Sequence, residues 1–223
     1  MPAEQNFPRP LTTVDIVLLV LAGGMLRVGT IVRENQPMKG RTALPGGFVR
    51  PQEDRDIEAA ATRIMADKCG CRPDHIEQLA VFSGPDRDPR EWSLSIAFVA
   101  VLSASDRARL NYADADKITN LPFDHDYIVQ EAVTRVRNRA GYSSVPLYFL
   151  QEPFTLPQVH TVYETVLGAK LDKAAFRRKL LDTGFLEETG ALSKPTGRVA
   201  RPAKLYRRAQ GLRFTPRNFM GSA

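Results

Sequence analysis

Residues 44–70 combine a glycine loop that suits phosphate binding with a helix that lacks most of the carboxylates a metal site would need. Gly46 and Gly47 allow a ligand to approach the backbone closely, because glycine has no Cβ. On a helix, residues 64, 67 and 68 lie at i, i+3 and i+4 and share one face. Three carboxylates there would hold Mg²⁺ through oxygen ligands, but these positions are Ile64, Asp67 and Lys68. The pattern predicts a phosphate pocket without a metal.

This segment resembles the signature of Nudix hydrolases, G-x5-E-x7-R-E-U-x-E-E-x-G-U, in which U is an aliphatic residue. Gly47 to Glu53 fits the first half, and Arg63, Met65 and Gly70 fit the second half, with two additional residues between the halves. The three glutamates of the family's catalytic helix correspond to the three helix positions described above. The resemblance therefore implies a Nudix fold that is not an enzyme and needs no cofactor.

A pocket for a diphosphate requires cations and backbone donors. We predict that seven residues form it: Arg33, Gly46, Gly47, Phe48, Arg50, Lys68 and Arg90. Phe48, Phe82 and Trp92 are the candidate surfaces for a base. The loop of residues 87–90 is expected to form the rim. His125 is predicted to be a helix-cap residue without a ligand role.

The positive charge of the chain is concentrated in its last third. The 223 residues carry a net charge of +6. Residues 151–223 hold 13 Lys and Arg against 6 Asp and Glu, whereas residues 1–150 hold 18 against 19. Such asymmetry indicates a C-terminal domain that faces a polyanion.

The remaining composition predicts a cytoplasmic globular protein without a membrane partner. The longest apolar run, residues 16–22, is too short to span a bilayer. The first ten residues lack the layout of a signal peptide. Cys69 and Cys71 lie too close together for a favourable disulfide and are too few for a zinc site. We expect them to be free thiols in a reducing compartment.

Apolar periodicity predicts an α/β fold for the first part of the chain. Strands are expected over residues 13–21, 25–32, 76–83, 93–102 and, for a short stretch, 118–121. Gly23 and Gly24 indicate a hairpin between the first two strands. Helices are expected over residues 57–68 and 124–139, the first between an N-cap at Asp56 and a C-cap at Gly70. The Nudix resemblance implies that these elements form an α/β/α sandwich.

A change in composition over residues 140–157, which include three prolines, marks a domain boundary. We predict a ligand-sensing domain over residues 1–145 and a second domain over residues 146–223. Helices are expected over residues 156–168 and 173–182, and strands over 185–187 and 205–207 on either side of a basic loop. Phe176, Leu180 and Leu181 are expected to face inward. Two helices followed by a basic hairpin indicate a winged helix-turn-helix.

A recognition helix presents side chains to base edges, and basic residues of a wing hold phosphates. The predicted DNA-binding residues are Lys173, Arg177, Arg178, Lys179, Lys194, Arg198, Arg201 and Lys204. The alternative is a basic, solvated helical domain without a nucleic-acid role.

The strings FRRKLLDTG and RPAKLY resemble the C-terminal module of Nudix-related transcriptional regulators of the NrtR type, whose front domain is a Nudix-like sensor. With both halves in this order, the resemblance covers nearly the whole chain. It implies a repressor of NAD-metabolism genes whose binding to operator DNA is relieved by ADP-ribose. A two-fold operator would require a homodimer.

Two other functions remain open at this point. An active Nudix pyrophosphatase would hold Mg²⁺ through Glu53, Asp67 and Glu58, and would cleave ADP-ribose with activated water. A non-catalytic adaptor would bind a nucleotide and a protein but no DNA.

Overall fold

The chain forms an α/β domain followed by a smaller domain with its own sheet. The computed structural model describes residues 9–103, 110–194, 202–216 and 218–220. The front domain contains β1 (Leu11–Ala22), β2 (Met25–Val32), β3 (Thr42–Ala43), β4 (Gly46–Phe48), α1 (Ile57–Ile64), β5 (His75–Gly84), β6 (Ser93–Val101), β7 (Asn111–Asp114) and α2 (His125–Ala140). The C-terminal domain contains β8 (Phe154–Thr155), α3 (Leu156–Leu167), α4 (Lys173–Asp182), β9 (Leu186–Leu192) and β10 (Lys204–Arg208).

The seven strands of the front domain that the structure describes form one mixed sheet with the order β3-β2-β1-β6-β5. The pairing of β1 with β6 is parallel, whereas β2 and β4 both pair with β1 in the antiparallel sense. They do so at different places, since β4 meets residues 13–15 and β2 meets residues 19–22. One edge of β1 is therefore split between two strands, and this split positions the cavity described below.

Alternating side chains of β1 reach opposite sides of the sheet, as the two-residue period of a strand requires. Val14, Ile16 and Leu18 belong to an apolar cluster that includes residues of α1. Val17 and Leu19 belong to a second cluster that includes residues of α2. The sheet is thus buried on both faces, and the front domain is the predicted α/β/α sandwich.

The turn between β1 and β2 confirms the predicted Gly-Gly hairpin. Ala22 pairs with Met25, so the loop contains only Gly23 and Gly24. Both glycines have positive φ angles, 61° and 72°. A two-residue hairpin turn with positive φ at both positions favours glycine, because a Cβ would be strained there.

The helix predicted over residues 57–68 changes its winding partway along. The Asp56 carboxylate caps it by accepting from the Ala59 N–H at 2.8 Å. The α-helix ends at Ile64, and Met65–Cys69 continue as one π-helical turn. Gly70 ends this turn in the left-handed conformation, with φ 66°, so both predicted caps are confirmed.

The strand predicted over residues 118–121 is wrong. These residues have no regular structure, and the strand that pairs with β2 is Asn111–Asp114. The reason is a local cap: the backbone N–H groups of Asn120 and Leu121 donate to the Asp126 carboxylate, each at 2.9 Å. Because both N–H groups bind the Asp126 side chain, they are not available to pair with a neighbouring strand.

The segment between the domains packs against the core of the protein. Residues Val145–Phe149 form a 3₁₀ helix in which Val145, Leu147 and Phe149 are buried. The same apolar cluster contains Val17 of the sheet and Tyr163 of α3. The domains therefore share a continuous apolar core.

The C-terminal domain has the two predicted helices and a three-stranded sheet with the order β8-β10-β9. A capping box between Thr155 and Gln158 starts α3, and the Asp172 carboxylate caps α4. Phe176 and Leu180 are buried as predicted. Leu181 is not, because its side chain is 43% exposed on the outer side of α4. None of the helices in the described residues is long and apolar enough to cross a membrane.

Candidate functional site

A cavity of about 480 Å³ opens at the split edge of β1. We call it the split-edge cavity. Its walls come from β1, the end of β2, β4, the end of α1 and the loop that precedes β6. All seven residues predicted to bind a ligand line it: Arg33, Gly46, Gly47, Phe48, Arg50, Lys68 and Arg90. Their ligand contacts remain a prediction, but the fold brings them together from four separate segments.

Gly46 is required by a close approach within the protein. A Cβ at this position would collide with the Asp15 carboxylate and the Val14 carbonyl. Gly47 has more room, since a Cβ there would lie 3.5 Å from Ile64. The sequence interpretation assigned both glycines to ligand approach; for Gly46, the structure shows that its β1 neighbour already imposes the requirement.

Asp15 is a buried carboxylate in the wall of the split-edge cavity, and the sequence interpretation missed it. The Ser95 hydroxyl donates to it at 2.6 Å. The Arg87 guanidinium lies 3.6 Å away, and His125 Nε2 lies 3.7 Å away. The sequence did contain a signal for this site, namely a single aspartate inside the apolar run of β1. A carboxylate buried in a strand requires polar or charged partners, so its presence indicates a polar site nearby.

His125 is a wall residue as well as the first residue of α2. Its Nδ1 accepts from the Leu44 N–H at 3.1 Å, so the proton of a neutral ring resides on Nε2, which faces Asp15. Burial lowers the pKa of His125, although the nearby Asp15 opposes this shift. His125 thus ties the α2 start to the chain before β4, a structural role that matches its expected position at a cap.

Arg33 is the cation in the cavity whose charge is least compensated. Its Nε donates to the Pro37 carbonyl at 3.0 Å, and its guanidinium lies 4.7 Å from the centre of the Phe123 ring. Burial lowers the pKa of Arg33, and the neighbouring Arg90 lowers it further against the opposing Asp15. An anionic ligand would relieve both effects, because it supplies the missing opposite charge.

Two ion pairs hold the loop before β6. The Arg87 guanidinium binds the Asp124 carboxylate through two hydrogen bonds of 2.8 and 3.0 Å. Arg90 binds the buried carboxylate of Asp88 at 2.6 and 2.9 Å. The Arg90 guanidinium also lies 5.1 Å from the centre of the Phe48 ring. Both arginines of the predicted rim are therefore held in ion pairs.

The helix arginine of the Nudix-like segment is paired with Asp54, one residue after the glutamate that fits the signature. Arg63 binds the Asp54 carboxylate at 2.7 and 2.8 Å. Glu53 instead meets Arg50 at 2.8 Å on the surface. The Asp54 side chain is buried and also accepts from the Arg50 N–H at 2.7 Å. The Glu53 side chain, in contrast, is exposed.

This pairing predicts a pH dependence of stability. The hydrogen bond from Arg63 lowers the pKa of Asp54 from 3.8 to about 2. A lowered folded-state pKa gives stability that is fully present above 3.8 and is lost as the pH falls through about 2. We expect Asp54→Asn to be less stable than the wild type at pH 7, and this difference to shrink between pH 4 and pH 2 as measured by urea unfolding.

Glu53→Gln is the matched control, because Glu53 is exposed and pairs only at the surface. Its unfolding midpoint should stay near that of the wild type at every pH. If Asp54→Asn behaved like Glu53→Gln, the buried pair would not contribute the expected stability.

The three helix positions at the end of the Nudix-like segment all line the split-edge cavity. Ile64 is buried, Asp67 lies 3.9 Å from Arg63, and Lys68 Nζ lies 3.8 Å from the Glu34 carboxylate. In the described part of the chain, no group of three His, Cys, Asp or Glu side chains is arranged to hold a metal ion. At two of the three positions where a metal site would need carboxylate oxygens, the cavity has the apolar side chain of Ile64 and the ammonium group of Lys68.

Of the three aromatic residues predicted to face a base, only Phe48 lines the split-edge cavity. Phe82 is buried in the core, where its ring meets Tyr127 edge-on at 5.6 Å. Trp92 lies in a neighbouring cavity. The aromatic residue that sequence reasoning missed is Phe123, which lines both cavities and has a positive φ of 61°.

The outer side of α4 carries the exposed basic residues Lys173, Arg177 and Arg178. Lys179 was predicted to bind DNA together with them, and this remains a prediction. Lys179 is half-buried, and its Nζ donates to the Met220 carbonyl at 3.1 Å. The C-terminal tail thus binds the amino group of Lys179, and the side chain stays partly exposed.

The predicted wing residues are only partly described. Lys194 is exposed, whereas Arg198 and Arg201 lie outside the described residues. Lys204 is exposed on β10 and forms an ion pair of 2.8 Å with Glu188 of β9, which raises its pKa. Arg177 acts on the same pKa in the opposite direction, so α4 and the wing strand lie within electrostatic reach.

Comparison with curated proteins identifies relatives of both parts of the chain. A family model for the NrtR DNA-binding winged helix domain matches residues 146–208. The ADPR responsive transcriptional repressor NtrR of Acinetobacter baylyi is 34% identical over 213 residues, which cover 92% of this chain and 84% of that protein. An ADP-ribose pyrophosphatase of Methanocaldococcus jannaschii is 38% identical over 107 residues, covering 45% of this chain and 62% of the enzyme.

Solved structures extend the similarity to the arrangement of both domains. Shewanella oneidensis NrtR complexed with a 27mer DNA is 31% identical, with a TM-score of 0.84 over 93% of this chain and 98% of that chain. The NUDIX domain of the same protein complexed with ADP ribose is 30% identical, with a TM-score of 0.54 over 58% of this chain and 90% of that chain. The predicted fold, a Nudix-like α/β/α sandwich with a C-terminal winged helix, is confirmed.

Proposed function

Because the chain belongs to the NrtR family of Nudix-related transcriptional regulators, we propose that it is a repressor that leaves its operator DNA when ADP-ribose or a related nucleotide sugar binds. One observation carries the proposal: a single chain joins a cation-lined Nudix cavity to a winged helix with an exposed basic helix. The Shewanella oneidensis relative was crystallised with DNA, and its NUDIX domain with ADP ribose, which supports this pairing. As the sequence resemblance implied, we propose NAD-metabolism genes as the targets.

The effector would bind in the split-edge cavity through its diphosphate. Arg33 offers an incompletely compensated guanidinium, and Lys68 offers an ammonium paired only at 3.8 Å with an exposed glutamate. Charge-assisted hydrogen bonds to phosphate oxygens are roughly twice as strong as neutral ones. The two cations therefore provide the chemistry that a diphosphate needs without a bridging metal.

We further propose that the front domain binds its ligand without cleaving it. Ile64 has no oxygen to offer a metal ion, and the Lys68 ammonium would repel one. The second candidate function, a pyrophosphatase, is favoured by the similarity to the Methanocaldococcus jannaschii enzyme over 107 residues. It would rely on Glu53, Glu58 and Asp67, of which Glu53 is engaged by Arg50 at the surface.

Contacts between the domains offer a route for the response. Arg208 of β10 binds Asp74 of the front domain at 3.1 Å and Glu152 at 2.8 Å. Arg137 of α2 donates to the Val166 carbonyl at the end of α3, at 3.0 Å. Ligand binding can shift DNA affinity only if it favours one arrangement of the domains over another, and these contacts are the ones that such a shift would change.

We propose a homodimer as the active form, since a two-fold operator presents half-sites separated by whole helical turns. We retain residues 1–145 and 146–223 as the proposed domain limits. We also propose a cytoplasmic location, because a repressor acts where its operator DNA lies.

Thermal unfolding tests the proposed function. We expect ADP-ribose at about 100 times its Kd to raise Tm by roughly 5–10 °C without Mg²⁺, because a ligand that binds only the folded state stabilises it. Chromatography of the same samples after adding Mg²⁺ should show intact ADP-ribose. The variant Asp67→Ala should still bind ADP-ribose and leave it intact, because the removed carboxylate lines the cavity and would repel the diphosphate. Magnesium-dependent release of AMP that Asp67→Ala abolishes would instead establish the pyrophosphatase.

A further inference from the structure

The C-terminal tail, by which we mean residues 213–216 and 218–220, returns from the winged helix to the front domain. Backbone hydrogen bonds join it to the segment 141–144, which directly follows α2. The Ser144 N–H donates to the Arg213 carbonyl at 2.9 Å, the Thr215 N–H to the Tyr142 carbonyl at 2.8 Å, and the Phe219 N–H to the Gly141 carbonyl at 2.8 Å. The tail is therefore held by backbone groups at the end of α2, so a shift of this end would move the tail with it.

The last residues of the tail also contact the C-terminal domain. The Phe219 ring meets two aromatic rings edge-on, with centre-to-centre distances of 5.9 Å to Tyr163 and 5.7 Å to Phe185. The neighbouring Met220 carbonyl accepts from Lys179 Nζ of α4 at 3.1 Å. Because Tyr163 and Phe185 are fully buried, the tail is anchored on the packed interior of this domain as well as on α4.

Helix α2 extends from the split-edge cavity to the tail. Its first residue, His125, lies in the cavity wall and accepts from the Leu44 N–H at 3.1 Å. Its 16 residues span about 24 Å at 1.5 Å per residue. Buried side chains along its length, among them Ile128 and Val136, pack into the apolar core. Rigid helices can carry coupling between distant sites, so a displacement of the first turn of α2 would reach the segment that binds the tail.

We propose that the C-terminal tail couples the split-edge cavity to α4, so that a ligand in the cavity changes the position of the helix that carries Arg177 and Arg178. This inference rests on the proposed function, because it assumes that an effector in the cavity controls DNA binding. The interdomain contacts of Arg208 and Arg137 involve β10 and α3, whereas the tail contacts α4 itself. The tail thus acts on the element that is proposed to read the operator.

Gly141 shows how closely the tail fits the end of α2. Its backbone has a φ of −73° and a ψ of −22°, which any residue can adopt. A Cβ at this position would nevertheless lie 2.9 Å from atoms of the Asn218 side chain. That side chain is itself engaged, because its Oδ1 accepts from the Met220 N–H at 2.9 Å. Gly141→Ala should therefore displace the tail without straining the backbone at the end of α2.

Two substitutions in the full chain should release the tail at both ends. Gly141→Ala displaces Asn218, and Phe219→Ala removes the aromatic anchor. With both changes, we expect calorimetry to give a Kd for ADP-ribose within about threefold of the wild type, because neither residue lines the split-edge cavity. In a gel shift, saturating ADP-ribose should raise the Kd for operator DNA about 5- to 150-fold in the wild type, the usual range of allosteric coupling, and less than about twofold in the double variant.

Phe214→Ala is the matched control, because Phe214 is an aromatic residue of the same tail and is 51% exposed. This variant keeps the contacts of Asn218 and Phe219, so its response to ADP-ribose should equal that of the wild type. Gly141→Ala alone should weaken the response. It should have little further effect in an Asn218→Ala background, where the colliding side chain is absent.

An undiminished response in a folded double variant would contradict the inference, while the proposed function would stand. If circular dichroism shows that the double variant is unfolded, or if it does not bind operator DNA, the single variant Gly141→Ala decides in the same way. Failure of ADP-ribose to release operator DNA from the wild type would overturn the proposed function itself.

Discussion

Replacing both Arg177 and Arg178 by alanine is expected to raise the Kd for operator DNA by at least about 30-fold in a gel-shift assay. Each arginine that contacts a base edge contributes about 1–3 kcal/mol of binding free energy. Both residues are exposed on α4, and Arg177 lies within electrostatic reach of Lys204 on the wing strand. Both arginines are therefore accessible to a DNA duplex on the exposed side of α4.

The matched control for this variant removes the same charge from the front domain. Lys39→Ala combined with Lys117→Ala deletes two exposed lysines outside the C-terminal domain. It should leave operator affinity nearly unchanged, apart from a small long-range effect at low salt. An equal loss of affinity in both double variants would indicate unspecific attraction by net charge.

The salt dependence separates base contacts from phosphate contacts. Each phosphate contact contributes about −0.9 to the slope of log K against log salt concentration. If Arg177 and Arg178 bind base edges, the double variant should lose affinity for the operator with little change in this slope. Failure of the wild type to bind any promoter fragment at low salt would favour the adaptor function instead.

Arg33→Ala is expected to raise the Kd for ADP-ribose about 10- to 100-fold, since a hydrogen bond to a charged group contributes about 1.5–3 kcal/mol. Arg33 lines the cavity, and burial together with Arg90 lowers its pKa, so a nearby anionic ligand would stabilise its charged form. In the gel shift, ADP-ribose that releases operator DNA from the wild type should no longer do so from this variant. DNA affinity without ligand should be unchanged.

Arg55→Ala provides the control, because Arg55 is 88% exposed and lies outside the split-edge cavity. It should respond to ADP-ribose like the wild type. Arg33→Lys should fall between the two, since lysine keeps the charge but loses the planar guanidinium. A normal ligand response in Arg33→Ala would move the diphosphate site away from the end of β2.

The elements of this chain were largely predictable because their signals are local. The Gly23-Gly24 hairpin and the helix caps at Asp56 and Gly70 were predicted from neighbouring residues, and the structure confirms them. These signals depend on φ angles and on bonds that span at most four residues. The strand expected over residues 118–121 failed because its donors are claimed by Asp126, which a propensity for strands does not reveal.

The candidate site was predictable only in part. Seven residues chosen for charge or flexibility line one cavity, since the Nudix-like segment orders most of them along the chain. Sequence reasoning placed Phe82 beside the ligand, whereas the structure buries it in the core, and the tail binds Lys179. Whether a side chain is buried, exposed or bound by another segment depends on residues that are distant in the sequence, and local patterns do not reveal them.

The sequence by itself determined the two-domain plan, the charge asymmetry and the absence of a carboxylate cluster on the helix after the glycine loop. Only the tertiary structure decided that Asp15, Arg87 and His125 meet, and that Arg63 selects Asp54 over Glu53. Helix caps and turns depend on interactions that span only a few residues, so the sequence indicates them directly. Asp15 lies roughly 70 residues from Arg87 and 110 from His125, and such partners meet only when the strand order brings their segments together. Arg63 and Asp54 are 9 residues apart, and there the burial of Asp54 distinguishes it from the exposed Glu53.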